Sequence, residues 1–127
     1  MKFFIKKVKN FLLGRKYTEN KDAAEIIRRF VHGTGDQYEW DDFETISENN
    51  PDVDLAIELC LFFAGEFPAT NKNEYCDKQA DPYFLKIAEA LENSKFQDLD
   101  LEAVKDSLKK NVLPESVSRI LGIESIK

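Results

Sequence analysis

The chain has 127 residues, of which 43% are apolar and 12% aromatic, so it can form one globular domain and is too apolar to be disordered. Its net charge is −6, but six of the 18 basic residues and no acidic residue lie in residues 1–16, so residues 17–127 carry a net charge of −12. Such an acidic body repels nucleic acid phosphates and attracts basic proteins, which excludes nucleic acid as a partner class.

The first predicted element is a basic amphipathic helix over residues 2–13, within an N-terminal segment of residues 1–16. Lysines interrupt its apolar run before it reaches the length of an export core, so no signal peptide is predicted. The helix can make a weak contact with an anionic membrane surface, or it can pack on the acidic body, and both alternatives are open. Its apolar stripe consists of Phe4, Val8, Phe11 and Leu12.

Residues 17–127 are predicted to form an acidic all-α domain, an irregular single-domain bundle of five to six helices. Capping residues and prolines mark the helix starts, and glycines mark most of the stops. A strongly apolar helix from Pro51 to about Ala64 is predicted to be central. The predicted starts are residues 18–20, Asn50-Pro51, Asp81-Pro82, Asp98 or Asp100, and Leu113-Pro114, and the predicted stops are Gly33, Gly65 with Pro68, Asn93 and Gly122.

The segment of residues 33–44 is the most informative part of the chain. It contains the only Trp of the protein and follows directly on the only His, His32. Trp40 and Phe43 are three residues apart, so a single helical turn would place both rings on the core. Around the rings lie five carboxylates, those of Asp36, Glu39, Asp41, Asp42 and Glu44.

These residues favour a non-enzymatic protein-interaction module with an acidic aromatic face. In such a face an aromatic side chain anchors the partner and carboxylates pair with its Lys or Arg residues. Acidic immunity proteins that neutralise a basic toxin offer an analogy in size and charge only. The predicted partner-binding residues are Asp36, Glu39, Trp40, Asp41, Asp42 and Glu44.

Two other functions stay open. One is a metal-binding protein or a hydrolase, although the ligand spacing of a calcium loop is absent; it would use Asp36, Asp41, Asp42 and His32. The other is a peripheral membrane protein that binds through residues 2–13. The sequence predicts no catalytic residue, no metal ligand and no cofactor.

The two cysteines suggest a reduced, cytosolic protein and form no zinc pattern. Cys60 lies in an apolar run and is predicted to be buried. Cys76 lies in a polar segment, where acidic neighbours would raise the pKa of its thiol. A disulfide between the two is left open.

Three motifs follow one another within residues 26–91: an acidic aromatic box, a Phe-Pro segment and a Tyr-Cys pair. They resemble an uncharacterised family of small bacterial proteins with a Gly-Asp-x-Tyr-x-Trp-Asp-Asp-Phe box. The resemblance implies a bacterial origin and one structural unit, so the long loop of residues 66–80 is predicted to fold back near the box. No activity is assigned to that family, and no catalytic residue is implied. The motifs are Gly35-Asp36-Gln37-Tyr38-Glu39-Trp40-Asp41-Asp42-Phe43, Glu66-Phe67-Pro68 and Tyr75-Cys76.

Overall fold

The computed structural model describes residues 18–35, 37–45, 50–72 and 74–123. Within these residues the chain forms six α-helices and one short 3-10 helix without any strand, which confirms the predicted all-α single-domain bundle. The predicted helix over residues 2–13 lies outside the described residues. The elements are α1 (Asn20–His32), α2 (Gln37–Thr45), α3 (Pro51–Glu66), the 3-10 helix (Lys78–Ala80), α4 (Asp81–Glu92), α5 (Leu101–Lys109) and α6 (Glu115–Leu121).

The core is centred on α3 and α4. Helix α4 packs against α1, α3 and α6, while α3 also contacts α5 and α1. The prediction that α3 is central is therefore confirmed, and α4 shares that position. The side chains that α3 buries are Val53, Leu55, Ala56, Ile57, Leu59, Cys60 and Phe63, and those that α4 buries are Phe84, Ile87, Ala88, Ala90 and Leu91.

The start of α1 differs from the prediction. Its N-cap is Glu19, which makes no side-chain capping bond, so a cap from Thr18 or Asn20 is wrong. Both residues instead accept hydrogen bonds from the Asn50 amide, Thr18 through its carbonyl at 3.0 Å and Asn20 through Oδ1 at 2.7 Å. Asn20 in turn donates to Asp52 Oδ2 at 3.1 Å. These polar groups tie the start of α1 to that of α3, and this long-range pairing replaces the local cap.

Helix α3 begins as predicted and ends later. The Asn50 side chain accepts from the Asp52 N–H at 3.1 Å, which confirms the cap before Pro51. The helix continues to Glu66, so Gly65 lies inside its last turn and does not end it, whereas Pro68 follows the end of the helix as predicted. Glycine lowers helix propensity by about 1 kcal/mol but still donates and accepts, and the Phe67 N–H to Phe63 carbonyl bond at 3.0 Å closes the final turn.

The remaining caps are mostly as predicted. Asp100 Oδ1 accepts from the Ala103 N–H at 3.2 Å at the start of α5, and Gly122 ends α6 with a φ of 67°. The prediction that Asp81 caps α4 is wrong, because Ala80 holds the N-cap position without a side-chain bond. The carboxylate that forms a cap lies four residues earlier in the chain: Asp77 accepts from the Gln79 N–H at 2.9 Å and caps the 3-10 helix that precedes α4.

The connection between α3 and the 3-10 helix is a closed surface loop. The Asp77 N–H donates to the Phe67 carbonyl at 2.8 Å, which brings the two ends of the loop together. Glu74 Oε1 accepts from the side chains of Asn71 at 2.6 Å and Thr70 at 3.2 Å. In the part of the chain described, no helix is both long enough and apolar enough to cross a membrane.

Candidate functional site: an acidic aromatic depression

The site is built around the turn that joins α1 to α2. Gly33 has a φ of 69°, a left-handed conformation that side chains other than glycine adopt at a cost. Its N–H donates to the Phe30 carbonyl, and the Thr34 N–H donates to the Arg29 carbonyl at 3.0 Å, which is the bonding pattern of a Schellman motif. The turn confirms the predicted stop at Gly33 and directs α2 back against α1.

Gly35 allows α2 to approach α1 closely. A Cβ atom at this position would lie 2.6 Å from Glu39 Oε1 and 3.3 Å from Arg29 Cβ. The absence of a side chain leaves room for an ion pair between the two helices. Arg29 Nε donates to Glu39 Oε1 at 3.0 Å, and its NH2 nitrogen donates to Oε2 at 2.8 Å. This bidentate hydrogen bond raises the pKa of the Arg29 guanidinium.

The rings of the box belong to a larger aromatic cluster. Trp40 stacks on Phe30 with 4.2 Å between ring centroids and 19° between planes, and it also packs against Phe84 at 5.7 Å and Phe43 at 5.5 Å. Trp40 and Phe43 are 5% and 1% exposed, so the prediction that both rings face the core is confirmed. The single turn predicted for the box is a nine-residue helix.

Tyr75 brings the long loop to this cluster. Its ring stands nearly perpendicular to those of Phe30 and Trp40, at centroid distances of 5.4 and 5.8 Å. The prediction that the loop of residues 66–80 folds back near the box is therefore confirmed. Unlike Trp40, Tyr75 keeps 40% of its surface exposed. The solvent-facing aromatic surface next to the box therefore includes a side chain from another part of the sequence.

Together these residues line an open surface depression with a volume of about 310 Å³. This volume is at the lower end of the range of roughly 300–1,000 Å³ found for ligand sites, which suits one side chain better than a large cofactor. Arg29 and Glu39 neutralise each other, so the exposed Asp41 carboxylate leaves the described lining with a net negative charge. The lining residues are Arg29, Phe30, Gly33, Gly35, Glu39, Trp40, Asp41 and Tyr75.

The depression brings together only part of the predicted partner-binding set. Glu39, Trp40 and Asp41 line it, whereas Asp42 is exposed on α2 but does not line it. Asp36 and the side chain of Glu44 lie outside the described residues. Trp40 is too deeply buried to project into a partner, because its aromatic neighbours hold it in the core.

The residues of the metal or hydrolase alternative do not form a metal centre within the described chain. No group of three or more His, Cys, Asp or Glu side chains is placed there to hold an ion. His32 is exposed in the last turn of α1, and its charge acts on Asp81. The pKa of Asp81 is nevertheless raised, because burial outweighs the favourable effects of Lys78 and His32. Because Asp36 lies outside the described residues, the metal-binding or hydrolase alternative stays a prediction.

Sequence reasoning missed three of the lining side chains. Arg29 and Phe30 lie near the end of α1, and the sequence gives no signal that connects either of them to the box. The ion pair between Arg29 and Glu39 spans the turn, and side-chain spacing within one helix does not predict such pairs. Tyr75 had a signal, since the Tyr-Cys motif connected its loop to the box.

The two cysteines are buried thiols that are not joined to each other. The burial predicted for Cys60 is confirmed, and Cys76 is also buried despite its polar neighbours. Burial is the main cause that raises the pKa of Cys76 to about 11, and the charges of Asp81, Asp77 and Glu74 raise it further. The predicted direction of this shift is confirmed, with burial as the cause that the sequence did not show.

The resemblance to the bacterial family with the acidic aromatic box stays a prediction. Searches against family models, curated proteins and solved structures found no match to this chain.

Proposed function

We propose that this protein is a non-enzymatic interaction module that binds a basic protein partner through the surface around the depression. The observation that carries the proposal is the combination of an exposed aromatic wall, Tyr75, with the exposed carboxylates of Asp41 and Asp42 on a helix that buried rings hold in place. Rigid aromatic contacts next to charges are typical of the residues that dominate binding energy in protein interfaces.

The charge of the whole body supports the same partner class. Residues 17–127 carry a net charge of −12, and such a field accelerates encounters with a basic protein while it repels nucleic acid. We place this function in the cytoplasm of a bacterium, by the cysteine content and the family resemblance of the sequence. As with acidic immunity proteins, the result of binding would be to mask the basic surface of the partner.

A charge-reversal pull-down tests the proposal. Tagged full-length protein is compared with the variant Asp41→Lys/Asp42→Lys and with the control Glu89→Lys/Glu102→Lys, whose exposed acids lie on α4 and α5. The two variants change the net charge equally. We expect a basic protein to be retained by the wild type and the control, lost by the first variant, and released from the wild type by salt. Equal retention by all three proteins, or equal loss from both variants, would refute the proposal.

A further inference from the structure

Helix α3 presents a stripe of exposed and half-buried side chains that is acidic near the start of the helix and apolar near its end. We propose that this stripe is the docking site of the chain's own basic segment, residues 2–13, and that the segment lies antiparallel to α3. The inference goes beyond the proposed function, because none of the stripe residues lines the depression. The stripe consists of Pro51, Asp54, Glu58, Leu61, Phe62 and Gly65.

The end of the stripe leaves apolar surface uncovered on a central helix. Leu61 is 40% exposed, Phe62 is half-buried, and a Cβ atom added at Gly65 would meet no atom within 4 Å. The described contacts of α3 are with α1, α4, α5 and the 3-10 helix, and they leave these side chains in contact with water. A further helix laid on this face would remove the apolar surface from water, which is favourable.

The chain enters the described structure beside the start of this stripe. The Thr18 carbonyl accepts a hydrogen bond from the side chain of Asn50 at 3.0 Å, and Asn50 is the N-cap of α3. The residues that precede Thr18 therefore reach it next to the first turn of α3. Residues 14–17 can span at most about 14 Å, and short connections of this kind join antiparallel neighbours. The segment of residues 2–13 would then run from the end of α3 toward its start.

The length of the segment and the order of its residues match the stripe. Twelve helical residues extend over about 18 Å, and the 16 residues of α3 extend over about 24 Å. The antiparallel direction places Phe4 near the apolar end of the stripe and Phe11 near its acidic start. Both rings belong to the apolar face predicted for the segment, because they are seven residues apart.

The charges favour this segment over a second copy of the chain. Residues 1–16 contain six basic residues and no acid, whereas residues 17–127 carry a net charge of −12. A second copy would bring its own acidic body against the first, and the like charges would oppose that contact. Lys7 and Lys9 lie at the level that the antiparallel direction assigns to Glu58, which is exposed within the stripe.

Site-specific photo-cross-linking in the full chain tests the docking directly. The photoreactive amino acid p-benzoylphenylalanine replaces Phe4, Phe11 or Asn10 in three separate proteins. After irradiation, denaturing gels separate cross-links within one chain from those between chains, and peptide mass spectrometry locates the labelled residue. Asn10 is the matched control, because it is uncharged and lies on the opposite side of the predicted helix from the two rings.

The expected labelling depends on the direction of the segment. We expect the probe at position 4 to label residues 58–65 and the probe at position 11 to label residues 51–58, both within one chain. The yield from position 10 should be about fivefold or more lower, since that side chain would face water.

Variants of the stripe test whether its chemistry holds the segment. Leu61→Asp places a charge in the apolar contact and should reduce the yield from position 4 about fivefold or more. Glu58→Lys should reduce it about threefold, and this exposed position keeps the test decisive if Leu61→Asp does not fold. Val112→Asp is the control, because Val112 is 55% exposed outside the stripe, and its yield should stay within about twofold of the unsubstituted stripe.

Several results would overturn the docking. Equal yields from the three probe positions would show a tethered segment without a fixed place, and the reversed labelling pattern would contradict the antiparallel direction. Cross-links formed only between chains would identify a second copy as the occupant. Flotation of the wild type with phosphatidylglycerol vesicles, without labelling of α3, would identify a membrane surface as the partner of the segment. A yield that stays unchanged in both stripe variants, or falls equally in Val112→Asp, would also refute it.

Discussion

Trp40 lies flat against Phe30, with 4.2 Å between the ring centroids, and this stack joins α2 to α1 at the depression. The contact has one imperfection, since the indole Nε1 is buried and has no hydrogen-bond partner in the described structure. A buried donor without an acceptor costs about 1–3 kcal/mol. The ring therefore stabilises the site through its stacking and burial, while its polar atom opposes that effect.

Because the ring of Trp40 stabilises the protein and its unpaired Nε1 opposes that effect, two substitutions of Trp40 should reduce the free energy of unfolding by different amounts. Trp40→Ala leaves a cavity among the rings and should reduce the free energy of unfolding by about 3–5 kcal/mol. Trp40→Phe keeps an aromatic ring and removes the unpaired donor, so it should cost less than about half as much. Urea unfolding followed by circular dichroism measures both, with Val112→Ala, at a 55% exposed side chain, as a control that stays within about 0.5 kcal/mol. Equal losses for the two Trp40 variants would contradict this account.

Alanine substitutions of Gly35 and Gly65 should change the stability of the protein in opposite directions. Gly35→Ala would place its Cβ 2.6 Å from Glu39 Oε1, so Glu39 must move away from Arg29, and we expect a loss of about 0.5–1 kcal/mol. Gly65→Ala lies in the last turn of α3 with no atom within 4 Å, so it should stabilise the protein by about 0.5 kcal/mol. Thermal and urea unfolding measure both. A stabilising Gly35→Ala would show that the close approach to Glu39 has no energetic weight.

Much of the fold follows from local signals. Asn50 and Asp100 cap their helices, and Gly33 and Gly122 stop theirs, because these effects depend on residues within one turn of the chain. The failed prediction at the start of α1 has a long-range cause. Asn20 binds the start of α3 instead of capping its own helix, since Asn50 and Asp52 are brought beside it only in the folded chain.

The candidate site divides in the same way. Spacing within the box predicted that Trp40 and Phe43 would be buried, since i and i+3 positions share a helix face. It could not show that Glu39 is neutralised by Arg29 or that Tyr75 supplies the exposed ring, because both relationships depend on how α1, α2 and the loop pack. A list of nearby acids in the sequence therefore overstates the free negative charge at the site.

The ends of α1 and α4 use the same turn with different residues. Ser94 has a φ of 56°, and the N–H groups of Ser94 and Lys95 donate to the carbonyls of Leu91 and Ala90, as in the turn at Gly33. A residue with a side chain is strained by roughly 1–2 kcal/mol in this conformation. We therefore expect Ser94→Gly to stabilise the protein by about 0.5–1 kcal/mol and Gly33→Ala to destabilise it by about 1 kcal/mol in urea unfolding. Destabilisation by Ser94→Gly would show that its hydroxyl group contributes more than the strain removes.

The Arg28–Glu92 pair predicts an acid-dependent loss of stability. Arg28 bridges α1 to α4 through two hydrogen bonds to Glu92 at 2.8 and 3.2 Å, and these bonds lower the pKa of Glu92 below its usual 4.5. The pKa of Glu92 is lower in the folded protein than in the unfolded chain. The stabilisation by the Arg28–Glu92 pair is therefore fully present above pH 4.5 and is lost as the pH falls through the pKa of Glu92 in the folded protein. Glu92→Gln should therefore flatten the decline of unfolding free energy below pH 4.5.

The control for that experiment is Glu115→Gln. Glu115 pairs with Arg119 within α6 at 3.1 Å, but both side chains are largely exposed, at 87% and 72%. Such a pair contributes little, so its removal should leave the acid-dependent decline nearly unchanged. If Glu92→Gln and Glu115→Gln give the same pH profile as the wild type, the bridge between α1 and α4 is not a source of acid sensitivity.

We predict that the Cys76 thiol reacts slowly with alkylating reagents and that the free energy of unfolding falls at alkaline pH. Burial and three carboxylates raise its pKa from 9.0 to about 11, so few thiolates form at pH 8, and iodoacetamide should modify it at least about tenfold more slowly than N-acetylcysteine amide. The folded state binds this proton more tightly than the unfolded chain, so the stabilising effect is complete below pH 9 and disappears as the pH rises through about 11. Peptide mass spectrometry separates Cys76 from Cys60, and Cys76→Ser should flatten the decline in unfolding free energy between pH 9 and 11. Rapid modification of Cys76 in the folded protein at pH 8 would contradict this and reveal a thiol that the loop does not protect.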